Sequence, residues 1–411
     1  MEVLLKIWIF FVNNILTQPA YFIGFIVLIG YILLKKPWYE CLAGFLKATV
    51  GYLILTVGSG GLVSNFRPIL VGLKDKFNLQ ATVIDPYYGQ NAVQSAMEHI
   101  GKSFSQVMLL LLIAFIFNIL LVAFRKITKI RSIFTTGNVQ IQQAATAFWL
   151  IFFCFPELGD TPILIVMSLL LGLYWAVGSN LTVEITQDLT EGGGFCVAHQ
   201  QIFALKIFST IAEKIKGKGE GKKLEDIKLP GFLSIFNENM VSTAILMLLF
   251  FGVILITLGK DYLIENKFMK EGQSFFFYTL TTALYFAVYL AILQLGVRTF
   301  VTELTQSFQG ISTRLLPGAV PGIDCAATFG FGSANAVTIG LLFGAAGQFL
   351  AIITLILLKS PVVIIAGFIP VFFDNATIAV FANNRGGVKA ACILPFISGL
   401  CQVFGSAFIS Y

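Results

Sequence analysis

The sequence predicts an all-α polytopic membrane protein with about eleven transmembrane helices and re-entrant hairpins. Three observations predict it. Only 12% of the 411 residues are charged and 57% are hydrophobic, about half the ~25% charge of a soluble domain; the mean hydropathy is +0.86. Apolar runs recur at the length of about 20 residues that crosses a bilayer. Between them lie stretches rich in Gly, Pro, Ser, Thr, Asn and Gln, too polar for lipid and too apolar for water. Irregular backbone at membrane depth survives only inside protein or beside a water-filled cavity, so broken helices and hairpins are expected there.

The first run, Ile7 to Leu34, is interrupted near Thr17 to Pro19 and is followed by no small-x-small cleavage motif. It reads as a retained membrane segment rather than a cleaved signal peptide. Further spans are expected near 41–57, 105–124, 140–155, 161–179, 241–258, 275–296, 338–358, 360–382 and 388–409. The polar breaks fall at 58–72, 81–95, 132–143, 192–204 and 307–337. The most hydrophilic stretch, Lys206 to Lys228, carries seven lysines, and Arg125, Lys126, Lys129 and Arg131 form a second basic turn. The positive-inside rule puts both in the cytoplasm. The mixed-charge loop 259–273 is expected outside, and Phe232 to Met240 reads as a short amphipathic entry into the next span. The formal net charge of +6 is concentrated at segment ends and in one loop. Topology alone requires that, so no nucleic-acid partner is implied.

The six cysteines (Cys41, Cys154, Cys196, Cys325, Cys392, Cys401) form no CxxC and no Cys/His cluster in the sequence. They read as small buried apolar side chains, with no disulfide framework and no metal site expected. Walker A, GxGxxG, HExxH and nucleophile-elbow motifs are missing, so no cofactor is expected and no ATP is bound. Energy for any transport must come from an ion gradient or a separate protein.

A weak internal repeat aligns residues 55–73 with 293–311. It superposes Gly58 on Gly296, Val63 on Val301, Gly72 on Gly310, Ile84-Asp85 on Ile323-Asp324, and Asn91-Ala92-Val93 on Asn335-Ala336-Val337. Paired halves with polar breaks at matching places mark transporters, whose substrate site lies at the repeat interface near the bilayer midplane. The expected organisation is a first repeat over 1–205, a cytoplasmic basic loop and amphipathic helix over 206–240, and a second repeat over 241–411, related by inversion.

The candidate site residues are polar groups in apolar surroundings. GFCVAHQQIFA (194–204) follows Gly192 and Gly193. A helix starting just after the glycines places His199 and Gln200 in its first two turns, where free N–H groups favour an anionic or oxygen-rich ligand. The alternative is a set of interhelical contacts worth roughly 0.6 kcal/mol each. Asp324, in PGAVPGIDCAATFG, is too costly to face lipid, at about 2.5–3.5 kcal/mol. It accepts substrate hydroxyls or acts as a base, or it pairs with Arg298 or Arg314. Its repeat mate Asp85 neighbours Tyr87, which can stack on a small ring and donate one hydrogen bond, or belongs to an interfacial aromatic belt. Asn138 and Gln142, four apart, share a helix face, and Gln143 turns away. Gly58 and Ser59, in GSGG, offer backbone N–H groups and a hydroxyl to a ligand, or serve close helix packing. Asp374, in FDNATIAVFANN, is equally well explained as a helix N-cap.

At these residues the sequence resembles the ascorbate-specific permease, the membrane EIIC subunit, of the bacterial phosphotransferase system. The stretches that carry the resemblance are GYILLKK, VGSGGLVS, GFCVAHQQIFA, KLPGFLSIFNENMVSTAI, GVRTFVTELTQSFQGIS and GFIPVFFDNATI. The resemblance implies a homodimer in the bacterial inner membrane, each protomer a dimerising scaffold plus a mobile substrate-binding core. It implies inward carriage of a sugar acid, phosphorylated by a partner EIIB from a phosphocysteine that upstream phosphotransferase proteins recharge; the permease itself is not an enzyme. By position it assigns the ligand shell to Gly58, Ser59, Tyr87, Gln142, His199, Gln200 and Asp324, with His199 or Asp324 as a possible general base. The family's TGH motif is TGN here: Asn138 replaces a histidine beside the site, which leaves a related sugar acid or a pentitol-like substrate open. The rival readings are an ion-coupled secondary transporter of a sugar acid or polyol, a membrane-embedded enzyme and a passive channel.

Overall fold

The computed structural model describes residues 18–77, 80–102, 105–216, 222–227, 230–232, 235, 239–367 and 369–410. The expectations for Ile7 to Thr17, for Lys218 and Lys228 and for much of Phe232 to Met240 lie outside the described residues, as do the side chains of Ser59, Arg298 and Arg314. The element order is α1 (Pro19–Leu33), α2 (Trp38–Phe77), β1 (Gln80–Ile84), α3 (Pro86–His99), α4 (Ser105–Ala123), α5 (Arg125–Thr128), β2 (Ser132–Phe134), α6 (Gly137–Cys154), α7 (Asp160–Thr190), β3 (Cys196–Val197) and α8 (Ile202–Lys216). A 3₁₀ turn (Leu224–Asp226) leads to α9 (Asn239–Leu258), α10 (Lys260–Glu265), α11 (Phe275–Leu315) and β4 (Val320–Ile323). A second 3₁₀ turn (Cys325–Gly330), α12 (Ala334–Leu357), β5 (Val362–Ala366), a π-helical turn (Ile369–Asp374) and α13 (Asn375–Ser410) complete the order. Among the described residues four helical stretches are long and apolar enough to cross a membrane: Trp38–Gly58, Asp160–Thr190, Asn335–Leu357 and Ile369–Ser410. Shorter apolar helices run over Ile23–Leu33, Leu109–Ala123 and Phe275–Tyr289.

The chain forms two compact units, each assembled from three separated segments. The first takes residues up to Leu53, Pro86–Ile207 and Gly296–Phe331. At its centre is a parallel sheet in the order β2-β4-β3, with Ser132 opposite Val320 and Cys196 opposite Gly322. Backbone polar groups of such a sheet must find partners inside the protein, and flanking helices supply them. The Asn118 amide of α4 donates to Ser132 O (3.3 Å) and accepts from Phe134 N (2.9 Å). From α7, Thr182 donates to Val197 O (2.6 Å), while Ser179 and Ser132 hydroxyls bond at 2.7 Å. Gly322 lets the strands close: a Cβ there would lie 2.7 Å from Ala198 Cβ. Elsewhere in this unit the buried Glu303 carboxylate accepts from the Tyr31 hydroxyl (2.5 Å) and from Lys47 (3.2 Å).

The second unit takes Ile54–Asp85, Phe208–Leu295 and Gly332 to the C-terminal end. Its sheet is the parallel pair β1-β5, Gln80 opposite Val362 through Ile84 opposite Ala366. The α12 helix packs on α13 through small residues. A Cβ on Gly344 would sit 2.3 Å from Asn375 Nδ2, and one on Gly347 2.2 Å from Phe396 O. Small residues let backbones approach closely where lipid offers no hydrophobic drive for helix association. Within α13 the chain breaks at Gly387, whose φ of 71° is left-handed. The Leu224–Asp226 turn is strapped to this unit: Leu224 N donates to Asn383 Oδ1 (2.8 Å), and Asn335 Nδ2 to Leu224 O (2.9 Å).

Several expectations need correction. The fold is mostly helical but not all-α, because five short strands form two parallel sheets. Residues 58–72 are not irregular: α2 runs unbroken for 40 residues. Within GSGG, Gly61 serves close packing, since a Cβ there would lie 2.1 Å from the Tyr289 ring. The segment 360–382 is not one regular helix: strand β5 and a π-helical turn precede the first residues of α13. The 132–143 break is helical from Gly137, and the 307–337 break is helical to Leu315. Asp374 ends the π-helical turn and is not the N-cap.

Candidate functional site

The three strands of the first unit are parallel, so their carboxyl ends lie along one edge. Ligands of parallel sheets bind outside that edge. Each strand delivers polar groups there. After β2 come Thr135, Thr136 and the start of α6 with Asn138 and Gln142; after β3 come His199, Gln200 and Gln201; after β4 come Asp324 and Cys325. Two hydroxyls tie the crossings together: Thr135 donates to Gly322 O (2.5 Å) and Thr136 to Ala198 O (2.6 Å).

Asp324 caps the 3₁₀ turn that follows it, with Oδ1 accepting from Ala326 N at 2.8 Å. Its other oxygen, Oδ2, lies 3.9 Å from His199 Nε2. The far ring nitrogen, Nδ1, is 2.5 Å from Gln201 Oε1. A carbonyl oxygen only accepts, so the proton of that contact sits on Nδ1 and Nε2 is the nitrogen turned to Asp324. Cys325 joins this pair: donor atoms of His199, Asp324 and Cys325 all lie within 4.8 Å of one another. The sequence held no Cys/His cluster, because His199 is far along the chain from Asp324 and Cys325; the sheet brings them together. A soft metal ion and a pair of substrate hydroxyls would both suit such a donor set.

Beside the pair runs a line of amides. Trp175 Nε1 donates to Gln143 Oε1 (2.7 Å), Gln143 Nε2 to Gln200 Oε1 (2.9 Å), and Gln200 Nε2 to Gln142 Oε1 (2.9 Å). Asn138 Nδ2 donates to the Tyr87 hydroxyl at 3.2 Å. His199 and Gln142 are each only 3% exposed. Even so, Gln142 Nε2, Gln201 Nε2, Gln140 Nε2 and Asn138 Oδ1 are buried with no protein partner. Such a group ordinarily costs about 1–3 kcal/mol; Asn138 and Gln142 on one face of α6, and Gln201 beside His199, point to a place built to meet a polar ligand.

Tyr87, Asn138, Gln142, His199, Gln200 and Asp324 all belong to the first unit, in three sets of contacts: His199 with Asp324, Gln200 with Gln142, and Asn138 with Tyr87. Gly58 and Ser59 lie in the second, on α2, where Gly58 is buried. His199 and Gln200 do not lie within a helix. Cys196–Val197 is a strand and α8 starts at Ile202, so the HQQ triplet forms the turn between them. Gln143 does not turn away; its amide bridges Gln200 and Trp175. Sequence reading also passed over Trp175 and Cys325. The signal for Trp175 was a lone indole in the apolar run LLLGLYWAVG, since a buried Trp N–H needs an acceptor.

Helices long and apolar enough to cross a membrane, with a buried cluster of hydrogen-bonding side chains, mark a polytopic membrane protein. The family of PTS system sugar-specific permease components, EIIC-GAT, matches residues 14–411, and the chain belongs to that family. It is 33% identical to a Mycoplasma pneumoniae protein described as an ascorbate-specific PTS system EIIC component, over 97% of this chain and 66% of that protein. The chain thus spans just under two thirds of the length of the relative it matches.

Proposed function

We propose that this permease carries L-ascorbate, or a closely related sugar acid, inward for phosphorylation by a partner EIIB. One observation carries the reading: His199 Nε2 and Asp324 Oδ2, two acceptors 3.9 Å apart, lie beside amides that supply unpartnered donors. A sugar acid offers both complements. Neighbouring hydroxyls donate to the imidazole and carboxylate, and an enolate, carbonyl or carboxylate oxygen accepts from the amide. The printed description of the relative supports the same substrate class.

In this mechanism the hydroxyl held by His199 and Asp324 attacks the phosphocysteine phosphorus of EIIB. A P–O bond forms, the P–S bond breaks, the thiolate leaves with its electron pair, and the hydroxyl proton passes to His199 or Asp324 as general base. The product gains negative charge and does not rebind, which sets direction. The two units correspond to the scaffold and mobile core of an inner-membrane homodimer. Support for two inverted repeats comes from the element order: a helix of 40 residues, β1 and Asp85 in one half, and a helix of 41, β4 and Asp324 in the other. Each sheet also pairs a strand from each half, β1 with β5 and β2 with β4.

The test is binding and uptake together. Purified protein should be stabilised thermally by ascorbate more than by xylitol, and proteoliposomes should accumulate the phosphorylated product only with phosphorylated EIIB present. Accumulation of unmodified substrate on a pH gradient without EIIB would replace this reading with ion-coupled transport.

A further inference from the structure

We infer that Trp175, which lies behind the proposed site, sets the polarity of the amide that meets the ligand and so acts as a specificity-determining positioning residue. The inference rests on the reading that Gln142 faces the substrate. An indole N–H can donate and cannot accept, so the Gln143 atom 2.7 Å from it must be the oxygen. The Gln143 nitrogen is then committed to Gln200, 2.9 Å away, and must find an oxygen there. That commits the Gln200 nitrogen to Gln142, again 2.9 Å away and again necessarily an oxygen. What remains on Gln142 is Nε2, buried and unpartnered. Three carboxamides, each able to rotate end for end, are thus locked in one direction by a single donor-only group, and Gln142 presents N–H.

The anchor is rigid. Trp175 is fully buried and stacks on Phe134 of β2, with ring centroids 5.6 Å apart and planes at 29°. Without the indole N–H, all three amides can reverse together and keep both amide–amide bonds, and Gln142 then presents a carbonyl oxygen. The native direction serves any ligand oxygen that accepts, a hydroxyl or an enolate or carboxylate alike. The reversed direction excludes an oxygen that can only accept and keeps a hydroxyl, which can donate. Trp175 therefore secures the sugar acid relative to a neutral polyol without touching either.

The test compares the full-length protein with W175F, which keeps an aromatic ring on Phe134 and removes only the donor. A second variant, Q143E, still accepts from the indole but has no N–H for Gln200. In Q143E, where the carboxylate takes the Gln200 N–H and forces Gln142 to present its oxygen, the ratio of ascorbate to xylitol affinity should fall about tenfold or more, the size of one misdirected buried hydrogen bond; in W175F, which frees the amides to take either direction, it should fall by less, with an unchanged size-exclusion profile for both. An unchanged ratio in the folded variants overturns the inference. Ultraviolet resonance Raman provides a readout independent of ligand: the wild-type minus W175F difference should show a strongly hydrogen-bonded indole, converted to a free one in Q143L. A free indole in the wild type strikes the relay alone. Failure of the wild type to bind ascorbate, with the indole bonded, strikes the substrate reading and with it the ligand-directed role of Trp175.

Discussion

At the scale of single residues, the proposed chemistry rests on an imidazole whose orientation is held from behind by Gln201 and a carboxylate whose orientation is held by its own cap. Asp324→Asn keeps an oxygen for Ala326 N and removes the charge. Losing one charge-assisted bond, roughly 1.5–3 kcal/mol, should weaken ascorbate binding about 10- to 100-fold while thermal stability without ligand holds; equal affinity by calorimetry would remove Asp324 from the site. His199→Ala should abolish EIIB-dependent uptake and leave a folded protein, and uptake at wild-type rate would end its assigned role. His199, Gln200, Gln142 and Asp324 were legible in the sequence because polar side chains in apolar runs are expensive and stand out. Gln143 was misread because helical spacing gives a direction around the axis, not the neighbour waiting there. Cys325 looked inert because its partners are remote in the chain.

At the scale of elements, the sheet of the first unit depends on side chains that finish its hydrogen bonding. Asn118→Ala would leave Ser132 O and Phe134 N without the amide that serves both. The expected loss is on the order of 1–3 kcal/mol per orphaned group, read as a lower Tm of the purified protein; an unchanged Tm would mean the strand is satisfied otherwise. In the second unit, Gly344→Leu has no room against Asn375 and should yield no monodisperse protein in detergent. Gly405→Ala, on the same helix bundle but in open space, should be neutral or stabilising by up to about 1 kcal/mol. The strands were not legible. Strands of two to five residues are too short to show alternation, and the fully buried VVIIA of β5 looks like part of a span. The continuity of α2 through GSGG was hidden for a related reason. Glycine weakens a helix in isolation, and only the Tyr289 ring packed against Gly61 shows why it is required there.

At the scale of the whole molecule, the chain is a membrane permease of the PTS sugar-specific family, folded as two units that each draw on three stretches of sequence. The sequence by itself determined the membrane class, because hydropathy sums over length and needs no partner. It also named most of the polar residues that form the site, because each is anomalous where it stands, and it exposed the family through long ordered motifs. Only the tertiary structure decided that the candidate site lies on the carboxyl edge of a three-stranded parallel sheet, that Gly58 and Ser59 belong to the other unit, and that Trp175 stands at one end of the line of amides. Strand pairing, packing and hydrogen-bond direction are relations between residues far apart in the chain, and no local pattern encodes them.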